Sequence, residues 1–395
     1  MKTMLIRWSL MIWLLLLAVP PLHAEETEGT KEVSSKVEYK VGEGLQVTSA
    51  DGSRQINFQE RVQGRFTYNA LDAVADTETF AIQRGKIRVF GFVFEKRLQF
   101  GLQINLATRN AATTTAVCLD AGCTKTANAV TAEGTTGLAT LEDFFIDWVP
   151  TETLGIKFGQ FDVPFLIQQL TSDGKQQFVD RSLATDFFNF GRDIGISLHG
   201  NLSDHFGYAI FVVNGEGVNN LNRNKAVLTG LRLEFPILGK YSYSESDSDD
   251  SDKPNLGAGL AYAFNKSANA TQGGTIAAGT KASHATIDLG YKHKGWSFQG
   301  AGMLTRTHET AAFTNWGYNG QAGWFVIPKK FEVVGKAGGT IFSGAVPNQY
   351  EYASGFNYFI KGHPIKLQTD YTFLINNRGQ DLKDHRIRTQ MQVTF

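Results

Sequence analysis

Residues 81–108 have the sequence AIQRGKIRVFGFVFEKRLQFGLQINLAT, in which two alternating halves flank a break at Glu95 and Lys96. The second half alternates apolar with polar residues, and the first alternates apolar residues or glycines with cations, namely Arg84, Lys86 and Arg88. Because successive side chains of a strand point to opposite faces, the halves are predicted strands of one hairpin. One face of this hairpin is apolar and the other is charged.

The same two-residue period continues to the C-terminus, in strands longer than the usual five or six residues. In the last strand, one row comprises Arg386, Arg388, Gln390, Gln392 and Thr394, and the other ends at Phe395. A closed barrel in lipid needs such strands, because each backbone group must find its partner within the sheet. Counting hairpins from Ile56 predicts an all-β fold: a transmembrane antiparallel β-barrel of about 16 strands with an aqueous lumen.

The first 24 residues have the layout of a signal peptide. Lys2 and Arg7 precede an apolar run that is followed by prolines and by Ala24, after which cleavage is expected. A signal anchor is the alternative. Residues 25–43 are charged and irregular, which predicts a flexible periplasmic tail, and residues 44–395 are the predicted barrel domain.

Removal of Lys2 and Arg7 with the leader would leave 36 basic and 38 acidic residues, a net charge of minus two. This balance gives no general attraction for nucleic acid or anions, so selectivity must depend on where the charges lie. Cys118 and Cys123 lie in a polar stretch between strands and can close a small disulfide loop in an oxidising compartment. Free thiols are the alternative.

Residues 162–192 lack the strand period and are rich in aromatic residues. So long an irregular segment in a compact fold is usually functional, and we predict a constriction loop folded into the barrel. Its charged candidates are Lys175, Arg181, Asp173 and Asp180. The two cations could meet a solute, or they could bond the neighbouring aspartates. A second irregular run, residues 245–252, is acidic, and we interpret it as a solvated turn, with loose calcium binding as the alternative.

Seven cations are predicted to line one sector of the lumen if the last strand closes the barrel against the first. We call them the ladder: Arg61, Arg65, Arg84, Lys86, Arg88, Arg386 and Arg388. Guanidinium groups suit phosphate and carboxylate through paired donors, and basic rings are used in anion pores. In the alternative, the ladder pairs with lumenal carboxylates and leaves no anion preference; these are Asp143, Asp147, Asp288, Glu332 and Asp370.

Enzymatic motifs are absent from the sequence: it has no phosphate-binding glycine loop, nucleophile elbow or metal-spaced histidine pair. We therefore predict no catalytic residues, metal site or cofactor. The predicted function is an outer-membrane porin for passive diffusion of small hydrophilic solutes, with anions preferred. The alternatives are a general or cation-tolerant porin and, from another class, a barrel adhesin or enzyme.

Several motifs resemble the phosphate-selective porin family of Gram-negative outer membranes. They are residues 80–91, Gly159-Gln160-Phe161-Asp162-Val163-Pro164-Phe165, Gln177-Phe178-Val179-Asp180-Arg181-Ser182, Gly191-Arg192-Asp193-Ile194-Gly195 and Asn214-Gly215-Glu216-Gly217. The likeness covers most of the mature chain and is strongest in its first half. Two features depart from the family: Gln83 stands where an arginine is common, and the central lysine has only Lys175 or Lys157 as candidates.

The resemblance implies a 16-stranded homotrimer whose pore is narrowed by infolded loops, with arginines that guide anions to a central basic site. Phosphate is the leading candidate solute. The expected partners are small anions, the lipid bilayer, lipopolysaccharide and the barrel-assembly machinery, which would act through the C-terminal Phe395. No nucleic-acid partner is expected, and the expected location is the bacterial outer membrane.

Overall fold

The computed structural model describes residues 35–395 except 73–74, 108–109, 119–125, 136–138, 223–224, 241–242, 269–279, 309–311, 344–346 and 378–380. Only the backbone is described for residues 110–118, 126–135, 267–268 and 381. The predicted leader, most of the predicted tail and the pairing of Cys118 with Cys123 lie outside this description. Among the described residues, no helix has the length and apolar character that a membrane crossing needs.

The described chain forms twenty strands and three short helical turns. The strands are β1 (Lys36–Lys40), β2 (Gly44–Thr48), β3 (Gln55–Ala70), β4 (Thr77–Val93), β5 (Leu98–Asn105), β6 (Asn110–Cys118), β7 (Thr126–Thr135), β8 (Thr140–Thr151), β9 (Leu154–Asp162), β10 (Arg192–Ser203), β11 (Phe206–Val213), β12 (Leu228–Leu238), β13 (Asn255–Ala268), β14 (Thr280–His293), β15 (Trp296–Thr307), β16 (Thr314–Ile327), β17 (Phe331–Ile341), β18 (Gln349–Lys361), β19 (Ile365–Asn377) and β20 (Asp381–Thr394). The helical turns are Ile167–Leu170, Asp173–Lys175 and Leu183–Phe188.

Sixteen of these described strands, β3–β5 and β8–β20, form a closed antiparallel barrel. Closure is made by β20 and β3, which pair from Thr394 opposite Arg61 to His385 opposite Ala70. Strands β6 and β7 form a separate two-stranded sheet in the connection between β5 and β8. The predicted fold class is confirmed.

The wall is apolar outside and polar inside. On β14, Ile287 is 60 % exposed on the outer face, whereas Thr286 and Asp288 beside it point inward and are 5 % and 2 % exposed. A soluble protein would bury the isoleucine. Hydrocarbon around the barrel explains the arrangement, since apolar side chains then face an apolar solvent and polar ones face the lumen.

One bulge sets which side chains enter the lumen. The pairing of β3 with β4 shifts between Gln63 opposite Arg84 and Gly64 opposite Ile82, which makes Gln83 an extra residue on β4. Such a bulge reverses the in–out alternation on one side of it. Ile82 is therefore 56 % exposed on the outer face while Arg84, two residues later, is buried in the lumen.

The expected irregular tail differs from the structure at Lys36–Lys40, which form β1 and pair with β2. Strand β2 pairs in turn with Gln55–Phe58 of β3, just beyond the end of β20. At the junction the Glu60 amide donates to the Phe395 carbonyl at 2.7 Å, and the Phe395 amide donates to the Glu60 carbonyl at 2.9 Å. The β1–β2 hairpin thus continues the wall past the C-terminus.

Two connections fold into the lumen from opposite ends. The first, residues 163–191, joins β9 to β10 at the end with long connections, and we call it the inserted loop. The second, residues 239–254, joins β12 to β13 at the end with short turns. They meet where the Glu245 amide donates to the Lys175 carbonyl at 3.1 Å and the Glu245 carboxylate accepts from the Gln177 amide at 2.7 Å.

The solvated-turn interpretation of the acidic run is therefore wrong at its first residues. Glu245 and Asp247 are each 2 % exposed. Asp247 accepts hydrogen bonds from the backbone amides of Ser251 and Gly295. These carboxylates satisfy buried backbone donors of the inward turn, which is why burial does not leave them without partners. Among the described residues, no cluster of acidic, histidine or cysteine side chains could hold a metal ion.

A hydrophobic cluster holds the inserted loop against the wall. Phe165 and Phe188, each 2 % exposed, pack with wall residues that include Phe211 and Met303. Burial of aromatic area inside an otherwise polar lumen favours one position of the loop. The apolar residues of the inserted loop therefore pack against strands β11–β17, on the side of the barrel opposite the ladder.

Candidate functional site

The ladder lies on three neighbouring strands, β20, β3 and β4. Along β3 and β4, Arg61 lies opposite Lys86 and Arg88 lies opposite Gln59. Along β20, Arg388 lies opposite Thr67 and Arg65 lies opposite Gln390, so the arginines of β20 and β3 are staggered by one inward position rather than directly paired. The stagger spreads the cations along the barrel axis. Arg386 lies nearest the long-connection end and Arg88 nearest the short-turn end.

The middle of the ladder is bound by the inserted loop through Asp180. Arg65 places its two terminal nitrogens 2.7 and 3.0 Å from the Asp180 oxygens. Arg388 approaches to 2.9 Å and Arg84 to 3.4 Å. Burial disfavours the ionised carboxylate, but the three guanidiniums, foremost Arg65, hold the pKa of Asp180 well below its usual range.

Asp173 is the second loop carboxylate in the ladder. It lies 3.0 Å from Arg84 Nε, 2.5 Å from Lys86 Nζ and in ion-pair contact with Arg61. Desolvation again opposes ionisation, and the neighbouring cations, foremost Lys86, keep the pKa of Asp173 well below its usual range. Gly174 permits this approach, since a Cβ there would lie 2.5 Å from Arg61 Cζ.

Two wall carboxylates complete the ion pairs. Glu142 lies 2.7 Å from Lys86, and Asp370 accepts from Arg388 at 2.8 and 3.0 Å. Five of the seven ladder cations thus share four carboxylates. With Arg88 and Arg386 included, the ladder has a local excess of three positive charges. The other wall carboxylates have their own partners: Asp143 with Arg192, Asp147 with Lys157 and His199, Asp288 with Arg232, and Glu332 with Gln177, Ser246 and Asn357.

The two ends of the ladder differ from its middle. Arg88 lies over the Phe90 ring at 4.4 Å, and Arg386 donates to the Asn69 side chain at 2.9 Å. Neither makes an ion pair with any residue that the structure describes. Both are half-buried, so they face lumen water. They are the ladder positions at which a mobile anion meets least competition.

The two predicted cations of the inserted loop, Lys175 and Arg181, have different environments. Lys175 is exposed and makes no ion pair within the described chain. Arg181 donates to the carbonyls of Gln168, Gln169 and Thr171, where it closes the helical turn of the loop. Neither cation bonds Asp173 or Asp180. Lys157, the other candidate for a central lysine, is paired with Asp147.

Two buried lysines of the wall were missed by the sequence reasoning. Lys336 Nζ lies 3.0 Å from Glu351 and bonds the carbonyls of Asp180 and Arg181. Lys366 Nζ donates to the Gln176 carbonyl at 2.7 Å. Their inward positions on β17 and β19 follow from the strand alternation, but only the folded loop shows that they bind its backbone.

Two of three comparisons with known proteins find matches that support this description. A sequence profile of the family described as phosphate-selective porin O and P matches residues 56–395. A search of curated protein sequences finds no match. Among solved structures, the anion-selective porin from Comamonas acidovorans aligns over 87 % of this chain and 100 % of its own, with a TM-score of 0.57 and 13 % identity.

Two further structures have the same architecture at similarly low identity. The outer membrane channel DcaP of Acinetobacter baumannii aligns over 87 % of this chain and 98 % of its own, with a TM-score of 0.57 and 11 % identity. The trimer form of OmpT, an outer membrane protein of Vibrio cholerae, aligns over 86 % of this chain and 99 % of its own, with a TM-score of 0.54 and 10 % identity.

A closed 16-stranded barrel with a polar lumen and an infolded loop defines an outer-membrane porin. The profile match, which spans the whole barrel, identifies the family: the chain belongs to the phosphate-selective porin O and P family. Family and fold together indicate a channel rather than an enzyme.

Proposed function

We propose that this porin conducts small hydrophilic solutes passively and prefers anions, with phosphate as the leading candidate solute. The observation that carries the proposal is the ladder of seven cations, of which five share four carboxylates and two, Arg88 and Arg386, pair with none in the described chain. Guanidinium groups present paired donors that match the oxygens of phosphate and carboxylate. The excess of positive charge raises the local concentration of anions along one wall.

A general porin without charge preference is the second candidate. The neutralisation of the ladder's middle by Asp173 and Asp180 favours it, because paired charges attract a mobile ion less than isolated ones. We place anion preference first, since Arg88 and Arg386 have no carboxylate partner in the described part of the chain. Membership of the family supports phosphate as the solute at the level of the family and not of this chain.

The other proposals concern how the porin reaches and occupies the membrane. We infer that residues 1–24 direct export, that the barrel contacts bilayer lipid and lipopolysaccharide, and that the assembly machinery acts through Phe395. We also infer a homotrimer, which the trimer form of the similar OmpT supports. An adhesin or a membrane enzyme remains the alternative from another class, and absence of conductance would favour it.

The two unpaired arginines test anion preference directly. In a planar bilayer under a KCl gradient, the wild-type reversal potential should show chloride carrying most of the current. A guanidinium in water attracts a monovalent anion at 4 Å by about 1 kcal/mol, so replacing Arg88 and Arg386 by Gln should reduce the chloride-to-potassium permeability ratio by about two- to fivefold.

Replacement of Lys329 and Lys330 by Gln is the matched control, because it also removes two cations but from an exposed turn outside the ladder. Its permeability ratio should equal that of the wild type. If the wild-type channel prefers cations, the anion preference is rejected and the general porin is the better description. An unchanged ratio in the double arginine variant would show that the ladder's ends do not select anions.

A further inference from the structure

The inserted loop contributes two anions to the middle of the ladder. Asp180 receives three guanidiniums, those of Arg65, Arg84 and Arg388. Asp173 receives one lysine and two arginines. Arg84 contacts both carboxylates, so the two positions are adjacent and together span the centre of the ladder.

Each position has the chemistry of an oxyanion site. Several charged donors converge on two oxygens that are held in one plane, which is how proteins bind phosphate and carboxylate ligands. The Asp180 side chain is 26 % exposed, whereas that of Asp173 is 5 % exposed. An anion in the lumen can therefore reach the Asp180 position first.

The backbone around Asp180 is held by contacts that do not need its carboxylate. The Val179 amide donates to Asp370 at 3.1 Å, and Lys336 Nζ lies 3.5 Å from the Asp180 carbonyl. Phe178 is 1 % exposed and packs against Val334. The carboxylate can therefore leave the guanidiniums by side-chain rotation while the loop stays in place.

We propose that Asp180 and Asp173 are tethered competitors of the transported anion, whose carboxylates fill the two central oxyanion sites of the ladder. An oxyanion crossing between Arg386 and Arg88 displaces Asp180 from its three arginines and is displaced by it in turn. This inference rests on the proposed function, because it assumes that the channel prefers anions. A tethered competitor lowers the apparent affinity, because it acts at a high effective concentration. Weak binding permits rapid release, which a conducting pore requires.

Inorganic phosphate is the probe. In the wild-type channel at pH 8, phosphate should half-block the chloride current only in the millimolar range. Asp180→Asn keeps the side-chain shape but removes the charge, so the half-blocking concentration should fall at least about tenfold. Asp173→Asn should give a smaller fall, since that position is less accessible to the lumen.

Asp186→Asn is the matched control, because Asp186 belongs to the same loop and carries the same charge but bonds no cation in the described chain. Loss of its charge makes the lumen more positive but frees no oxyanion site, so its half-blocking concentration should fall by less than about twofold. Equal falls in Asp180→Asn and Asp186→Asn, or no fall in a channel that conducts normally, would overturn the inference. Circular dichroism in detergent checks that each variant keeps its barrel.

If a variant does not fold, the half-blocking phosphate concentration of the wild-type channel still tests the inference. Half-block below about 0.1 mM phosphate in the wild type would mean that the central sites are vacant, and the inference would be wrong. The reversal potential separates this result from the proposed function. An anion-selective wild type with unaltered block in Asp180→Asn keeps the porin proposal and rejects the competitors, whereas a cation-selective wild type rejects the anion preference itself.

Discussion

At the scale of single residues, identical carboxyl groups in the inserted loop have different states. Asp173 and Asp180 are fixed as anions by surrounding cations. Asp186 is open to lumen water but enclosed by protein on its other sides. Desolvation, and then the nearby negative charge of Asp180, raise the pKa of Asp186 to about 6. The charges facing it from the loop and the wall are Asp180, Arg181, Lys336 and Glu351.

This difference predicts a pH dependence of selectivity. As pH falls from 8 to 5, Asp186 becomes neutral while Asp173 and Asp180 stay ionised, so the lumen gains positive charge. One step of the resulting rise in anion preference should have a midpoint of about 6. Reversal potentials across this pH range measure the effect. The Asp186→Asn channel should lack this step, and an identical step in that variant would assign the titration to another group.

At the scale of elements, the inserted loop is held by apolar packing at its first and last residues and by ion pairs in its middle. Phe165 lies 4.7 Å from Phe190 between ring centroids, and its carbonyl accepts from Arg232 at 2.8 Å. The two apolar ends fix the position of the loop, because hydrophobic burial is strong but not directional. The ion pairs then fix which carboxylate faces which cation.

Loss of the apolar anchor should loosen the loop. Phe165→Ala removes a buried ring at a local cost of about 3–5 kcal/mol, so the single-channel current should become noisier and larger on average. Phe158→Ala is the control, since Phe158 is 59 % exposed on the lipid-facing side of β9. A quiet channel of wild-type conductance in Phe165→Ala would show that the ion pairs alone hold the loop.

At the scale of the whole molecule, closure and extension of the wall are separate features. The barrel closes through ten residue pairs of β20 and β3, and the β1–β2 hairpin adds to β3 only beyond them. Closure leaves no unpaired edge within the hydrocarbon, which lipid requires. The β1–β2 hairpin extends the wall but is not needed to close the barrel.

Deletion of residues 35–48 should therefore leave a closed, conducting barrel. The lost pairing with Gln55–Phe58 should lower the midpoint of thermal unfolding by several degrees without changing conductance or selectivity. Circular dichroism melts in detergent and bilayer recordings measure the two outcomes. Failure of the deleted chain to form barrels would instead make the hairpin part of the closure.

The sequence by itself determined the wall. Alternation with a period of two is a local property, so it predicted the strands, their apolar outer face and the ladder cations, and the count of hairpins predicted the barrel. The infolding of residues 163–191 was also predictable, because an aromatic segment without a strand period needs somewhere to bury its rings.

Only the tertiary structure decided the partners of the charges. Asp173 meets Arg61 across 112 residues, and Asp180 meets Arg388 across 208, so no local pattern relates them. The bulge at Gln83 and the inward turn that buries Glu245 were equally hidden, because each depends on a neighbour distant in the chain. Strand alternation determines which side chains enter the lumen, but packing between remote segments determines which of them remain available to a solute.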